Sequence, residues 1–580
     1  MYDSAMRSPE NHLARAVTSS LVRTLGPELA SEDTLIRVSQ FADFQSNVSL
    51  SLAKRFGRSP RQLAESLVAA LDLDEVCSEI SVSGPGFINF TLRDPWMASR
   101  VERAAEDDRL GVERGERQTI VIDYSAPNVA KEMHVGHLRT TIVGDALART
   151  LEWLGHDVIR QNHIGDWGTP FGMLIEHLVD VGGSSAESHQ LESEPNLFYQ
   201  AARQRFDSDQ EFAARSRQRV VLLQSGDAST LAHWQVLIAR SRFYFDRIYR
   251  TLNVSLTDAD IAGESTYNAQ LPEVCDELER RGIARVSDGA LCVFLDGYLG
   301  REGTPTPLIV RKSDGGYGYA TSDLATIKHR VENLGADRIL YVVGATQSLH
   351  LRMVIETARK AGWLPPTVEV VHVQIGNVLG ADRKLLRTRS GAPLMLEALL
   401  SDAIDSARGV LEESRPELPG EIRDTIAAQV GIGAVKYADL SVAHDSEYVF
   451  DLDRMTMLTG NTGPYLQYAV SRTNALLRTA SAGWRGSPVL LGGPAERDLA
   501  LALLAYGPSV EEVGVTLEPH RLCEYLYRLA RCFSVFYEEC PIFVATDPAL
   551  RDSRLVLTDL VRRVLTHGLD LLGIEAPDQM

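Results

Sequence analysis

The chain has 580 residues, 44% hydrophobic and 24% charged, a balance that excludes disordered, collagen-like and coiled-coil proteins. Its length fits roughly three or four domains, the pattern of a soluble multidomain enzyme. With 59 basic and 78 acidic side chains the net charge is −19, which argues against nonspecific coating of nucleic acid but leaves room for a local basic groove. The cysteines at 77, 275, 292, 523, 532 and 540 show no C-x-x-C and no paired spacing, which predicts a reduced cytoplasmic protein without structural zinc or any other protein-held metal. No apolar run approaches the ~18 residues of a membrane span, so no membrane partner is expected.

In chain order, helical periodicity runs from His12 to Leu25 and from Pro60 to Leu73. A strand follows at Glu79–Ser83, and the turn Gly84-Pro85-Gly86 leads into another. This predicts an N-terminal α+β module over residues 1–110, with the charged stretch Val101–Arg117 as connector. From Thr119 the pattern is strand (TIVIDY), polar turn, helix (Gly136–Leu154), stop at Gly155, then strand (DVIRQN). That is a βαβ unit of Rossmann type, and it opens a catalytic domain placed at 111–395. A polar helical insertion is expected around 174–255. Sheet-like runs resume at Leu291–Leu295, Leu308–Val310, Arg338–Val343 and Val368–Ile375, with helical patterns at Ser322–Asn333 and Leu349–Ala361 extending the doubly wound alternation. The fold class is multidomain α/β with a parallel sheet. A helical stem at 396–440 and an all-helical domain at 441–580 complete it.

Two groups of residues carry chemistry. His134-Val135-Gly136-His137 stands where the first strand hands over to a helix, a place whose unpaired N–H groups and positive dipole end gather anions. Two capping histidines at the surface explain the bare pattern equally well. Asp382–Gly391 gathers Arg383, Lys384, Arg387 and Arg389 in one loop. Such a run is commonly a solvated surface, yet mobile cations also suit a departing pyrophosphate.

The surroundings of the histidines narrow the choice. The stretch from Ser125 to Gly172, SAPNVAKEMHVGHLRTTIVGDALARTLEWLGHDVIRQNHIGDWGTPFG, resembles the signature region of arginyl-tRNA synthetases along its whole length. The resemblance implies a class I ligase, of bacterial type, that activates L-arginine with ATP and Mg2+ as arginyl-adenylate. It then passes the arginine to the 2′-hydroxyl of the terminal adenosine of tRNA(Arg). His134 and His137 then hold ATP and stabilise the α-phosphate, with Val135 and Gly136 lining the nucleotide. The basic loop resembles the family's D-G-K-x-x-K-T-R-x-G element, with Arg383 in place of a glycine and Arg387 in place of a lysine. Lys384, Arg387 and Lys131 become catalytic cations and Arg389 an ATP contact.

The same resemblance supplies an arginine site. Tyr317–Ala325 resembles the family's Y-x-x-x-D-x-A element, which puts Tyr319 and Asp323 against the guanidinium, although Asp323 could equally cap the following helix. Glu264 of GESTYN is a second carboxylate for that fork of donors. Asp123, Asn128 and Gln347 are assigned the α-ammonium and carboxylate, while Gly344 and His350 of GATQSLHL lie beside adenosine. In that element Thr346 and Leu351 depart from the family's residues. Tyr465, Tyr468 and Arg472, at spacings of three and four, offer a stacking face for bases of the anticodon, or an ordinary core stripe. The N-terminal module resembles the domain that touches the tRNA elbow. A monomer is expected.

Overall fold

The computed structural model describes residues 8–182, 185–300, 303–386, 394–545 and 547–580. In the first module, Ser8 accepts from Asn11 N–H and Pro9 opens the helix Pro9–Leu25. Ser59 and Gln62 form a reciprocal capping box for the helix Pro60–Ala69. Leu13, Val17, Leu21, Leu63 and Leu67 of these helices join Phe44, Ile88 and Phe90 in one core. The strands are β1 (Ile36–Val38), β2 (Phe44–Ser46), β3 (Cys77–Ser83) and β4 (Phe87–Leu92), antiparallel in the order β1-β2-β4-β3.

The stretch expected to be a charged connector is partly a docked helix. Asp94–Glu106 buries Met97, Ala98, Val101 and Ala104, and Arg563 of the terminal helix Pro548–Leu571 donates to Asp107 O at 2.8 Å. Its three- and four-residue apolar spacing is diluted by surrounding charge, so composition hid the stripe.

The catalytic region opens with β5 (Thr119–Asp123), the helix Val135–Trp153 and β6 (Asp157–Gln161). A helical excursion follows, from Thr169–Val181 to Ala228–Thr251. The runs expected near 291 and 308 are strands, but they do not extend the parallel sheet. β7 (Ala284–Ser287), β8 (Ala290–Leu299) and β9 (Pro305–Arg311) form a separate three-stranded antiparallel sheet. Apolar alternation reports a strand and says nothing of its partner. The local signal was the dipeptide Asp288-Gly289, whose φ values of +49° and +78° make a tight hairpin between β7 and β8.

β10 (Arg338–Gly344) and β11 (Glu369–Ile375) return to the parallel sheet, whose order is β11-β10-β5-β6. The chain leaves β5 to one side and comes back on the other, so the carboxyl ends of β5 and β10 flank the reversal, where open α/β sheets bind ligands. The helices Leu271–Arg280, Tyr319–Glu332 and Ser348–Lys360 share a core with the three-stranded sheet and one face of the parallel sheet. The other face shares its core with the C-terminal helices.

β12 (Val378–Leu379) and β13 (Tyr448–Val449) pair in parallel around the stem helices Leu396–Ser414 and Gly420–Leu440. Helices from Gly463–Thr479 to Pro548–Leu571 complete the chain. Among the described residues no helix is long and apolar enough to cross a membrane.

Candidate active site

The histidine motif is built as a helix cap. His134 is the N-cap of Val135–Trp153 with extended backbone; its Nδ1 accepts from Gly136 N–H at 3.0 Å, and its own N–H donates to His137 Nδ1 at 3.1 Å. With both Nδ1 atoms accepting, each ring carries its proton on Nε2, so two N–H donors are added to those of the helix end. The rings lie 4.1 Å apart. Burial and then the charge of Lys131 lower the His134 pKa; burial, His134 and Lys131 push that of His137 to about 3. Both rings are therefore neutral donors at neutral pH. A Cβ at position 136 would lie 2.8 Å from His134 Cε1, so any other residue there would push the His134 ring out of this cap. Val135 is buried and donates its N–H to Leu394 O at 3.0 Å. Lys131 lies with its ammonium 4.5 Å from the centre of the Tyr199 ring.

The basic loop is anchored to this cap. On its entering side Leu386 N–H donates to Val378 O at 3.1 Å and Gly380 N–H to Lys384 O at 2.8 Å. On its leaving side Leu394 accepts from Val135, and Leu396 N–H donates to Met133 O at 2.9 Å. The chain emerging from the loop thus pairs with the residues on either side of His134. Lys384 is exposed, and Arg383 holds a left-handed φ of +58°. Arg387 and Arg389 lie outside the described residues.

An acidic pocket lies beyond β6. Glu264 N–H donates to Ile164 O at 3.2 Å, and the side chain faces Asp166, whose carboxylate accepts from Ser265 N–H at 2.8 Å and Ser265 Oγ at 2.6 Å. Burial, then Asp166 and Asp323, push the Glu264 pKa up to about 8; among the described residues it has no cation partner. Tyr319, at the first turn of its helix, has its phenol pKa raised by partial burial and then by the charge of Glu264. Glu264 and Tyr319 line a cavity of about 870 Å³ together with Trp167, Phe206, Arg217 and Lys312. Asp323 does not cap its helix. It lies one turn in, and its Oδ2 is 2.5 Å from His350 Nε2, a hydrogen bond that raises the His350 pKa. The residue expected beside adenosine therefore holds the residue expected on arginine.

Asp123 ends β5 in a different setting. Arg330, fully buried on the Tyr319–Glu332 helix, donates to Asp123 Oδ2 at 2.6 Å and to Gln161 Oε1 at 2.6 Å, leaving Asp123 Oδ1 without a partner among the described residues. Asn128 is exposed and bridges to Gly165, where a Cβ would lie 2.6 Å from Asn128 Oδ1. Gly344 ends β10 opposite Ile375, and exposed Gln347 closes the single turn that follows. Asp123 thus ends β5, Asn128 lies on the chain that leaves it, and Gln347 follows the neighbouring strand β10.

The aromatic helix Gly463–Thr479 does not present one free face. Tyr465 packs edge-on to Tyr527 at 5.7 Å, and the Arg472 guanidinium stacks 3.8 Å from the centre of Tyr537, so both dock on the helix Pro519–Glu539. Tyr468 lines a separate apolar hollow of about 120 Å³ with Leu411, Val430 and Met580. Helical spacing gives a shared direction, and a neighbouring helix can occupy it. Sequence reasoning missed Arg330, Asp166 and Arg139. Arg139 did leave a trace, since it stands among Leu138, Ile142 and Val143 on its helix, where a charge is buried and must be paired. Among the described residues no group of three His, Cys, Asp or Glu side chains could hold a metal ion.

Three family models match: "tRNA synthetases class I (R), catalytic domain" over residues 100–452, "DALR anticodon binding domain" over 466–580 and "Arginyl tRNA synthetase N terminal domain" over 11–92. An arginine–tRNA ligase of Thermobifida fusca is 63% identical over 577 residues, covering 99% of this chain and 100% of that protein. One of Frankia casuarinae is 50% identical over 590 residues and 100% of each chain. The arginyl-tRNA synthetase of Plasmodium falciparum superposes with a TM-score of 0.83 at 25% identity, over 99% of this chain and 100% of the other.

Proposed function

Because the chain belongs to the class I arginyl-tRNA synthetases, ligases that use ATP to charge tRNA(Arg) with arginine, we propose a division of labour among its residues. The ATP phosphates lie across the N-terminus of the Val135–Trp153 helix and take hydrogen bonds from the Nε2–H groups of His134 and His137. Val135, Gly136, Gly344 and His350 flank the nucleotide. Lys131, Lys384, Arg387 and Arg389 face the β- and γ-phosphates, where negative charge accumulates. Magnesium would be held by the ATP phosphates and water rather than by a protein cage, and would offset phosphate charge there.

The substrate guanidinium enters the Glu264, Asp323 and Tyr319 pocket, while Asn128, Gln347 and the free Oδ1 of Asp123 take the α-amino acid end. An arginine carboxylate oxygen attacks the α-phosphorus in line, and the bond to the β-phosphate bridge breaks to release pyrophosphate. The tRNA 2′-oxygen then attacks the acyl carbon, losing its proton as AMP departs. Both steps rest on placement and on charge stabilisation. The N-terminal module, residues 1–110, grips the tRNA elbow. The helical domain at 441–580, joined through the stem at 396–440 to the catalytic domain at 111–395, meets the anticodon with the exposed ring of Tyr468, while Tyr465 and Arg472 hold that helix against Pro519–Glu539. We take the protein to be a cytoplasmic monomer that activates arginine once tRNA is bound.

The observation that carries this reading is the neutral pair of Nε2–H donors at a helix N-terminus, to which the far end of the basic loop is stitched. ATP–pyrophosphate exchange with each amino acid, with and without total tRNA, tests it. Exchange with arginine alone, dependent on tRNA and reduced on the order of 100-fold in His134→Asn, is the expected result. Silence with every amino acid would overturn it.

A further inference from the structure

The stem helix Gly420–Leu440 runs into a strap, residues 439–450, that touches the helix carrying the histidine motif and the chain that enters the basic loop. Arg139 lies five positions after His134 and is 1% exposed. Its Nε donates to Asp439 Oδ1 at 3.0 Å, Nη1 to Ser446 O at 2.6 Å and Nη2 to Ala443 O at 3.3 Å, and its plane lies 5.2 Å from the centre of the Tyr448 ring. Among the described residues, every hydrogen-bond partner of this guanidinium is on the strap. The strap's other edge pairs with the chain that enters the basic loop. Gly376 N–H donates to His444 O at 2.8 Å, Phe450 N–H to Leu379 O at 2.9 Å, and Asn377 Nδ2 to Glu447 Oε1 at 2.8 Å. The crossing is so close that a Cβ on Gly376 would lie 2.5 Å from Ser446 O.

We propose that Arg139 and Asp439 are positioning residues for adenylate formation, fixing the basic loop against the histidine pair through this strap. The proposal rests on the assignment of those two motifs to ATP. A buried ion pair adds little net stability compared with apolar packing, but a planar fork spanning three acceptors fixes orientation and register in a way that apolar contact cannot. The strap leads from the stem helix, and the chain beyond it enters the helical domain, so the same contacts tie the catalytic motifs to residues 466–580, which match the anticodon-binding family.

Three variants and one control test this in tRNA-supported pyrophosphate exchange, each checked for native protein by thermal melting. Asp439→Asn keeps the shape and one acceptor oxygen; its kcat should fall at least about tenfold with the KM for arginine unchanged, because misplacement affects the transition state and not the arginine pocket. Arg139→Lys keeps the charge without the fork and should fall similarly. Glu447→Ala, exposed and safe for folding, releases only the loop-side edge and should cost about threefold. His134→Asn separates the two levels: exchange that survives this control sinks the assignment of the motifs themselves. Exchange lost in the control but unchanged in folded Asp439→Asn and in Glu447→Ala overturns the strap. So does a loss in Asp439→Asn that follows only the loss of native protein while Glu447→Ala works at the wild-type rate.

Discussion

Two carboxylates, one ending β5 and one past β6, differ in company. Asp123 faces a guanidinium supplied by the protein, Arg330, at 2.6 Å. Glu264 faces two other carboxylates, Asp166 and Asp323, and its pKa rises to about 8. Both were expected to bind arginine from the motifs around them. Their surroundings distinguish a charge the fold has already compensated, which keeps one unpaired oxygen, from one that lacks a cation and gains its first from an arriving guanidinium.

The largest effect should come from breaking the compensated pair. Asp123→Ala leaves Arg330 buried and uncompensated, which costs about 3–5 kcal/mol, read as a lowered urea midpoint or as loss of soluble protein. Glu264→Gln should go the other way. It removes a buried acid from an acidic neighbourhood, so stability holds or rises, while the arginine KM climbs on the order of 10- to 100-fold through loss of a charge-assisted hydrogen bond. Equal destabilisation by the two substitutions would erase the distinction.

The pH dependence sharpens it. With its pKa raised from 4.5 to about 8, Glu264 is largely protonated at neutral pH in the free enzyme, and a bound guanidinium favours the carboxylate. Arginine binding should release a proton and tighten as pH rises, by up to about tenfold per unit, levelling off above about 8. Calorimetry in two buffers of different ionisation enthalpy reads that proton directly, and Glu264→Gln should abolish it. The sign for folding is opposite. A raised carboxylate contributes stability that is fully present below 4.5 and is lost as pH rises through about 8, so the arginine-free enzyme weakens over the window in which arginine binding strengthens. Affinity flat across pH 6 to 8 would show that Glu264 does not meet the ligand.

What the sequence could reveal follows the range of each interaction. The cap made by His134 and His137 closes within three residues, and the helices Pro9–Leu25 and Pro60–Ala69 carry their own caps, so local pattern placed them well. The pairing of Arg330 with Asp123 spans 207 positions and that of Arg139 with Asp439 spans 300, so no local signal links the partners. The same limit explains β8 and β9, legible as strands but assigned to the wrong sheet. It also explains Tyr465 and Arg472, whose shared face is covered by a helix some sixty residues later in the chain, a packing no periodicity within their own helix announces.

Arg383 is where a family pattern and a backbone angle meet, and the smallest effect belongs there. The loop resembles an element with glycine at this position, and the backbone has φ +58°, the region that glycine enters freely and that costs other residues about 1–2 kcal/mol. Asp382 eases the turn by accepting from Lys384 N–H at 3.1 Å, which holds Lys384 in place behind the strained residue. Arg383→Gly would relieve the strain but add freedom to the unfolded chain worth roughly 0.5–1 kcal/mol, so the net gain in stability should lie between about 0 and 1.5 kcal/mol. If Arg383 serves only as charge beside Lys384, exchange should fall slightly, and Arg383→Asn, which tolerates a left-handed backbone, should fall equally. If its side chain instead fixes the direction of Lys384, both variants should lose far more activity than stability, and the turn would belong with the positioned histidines rather than with a loosely placed set of cations.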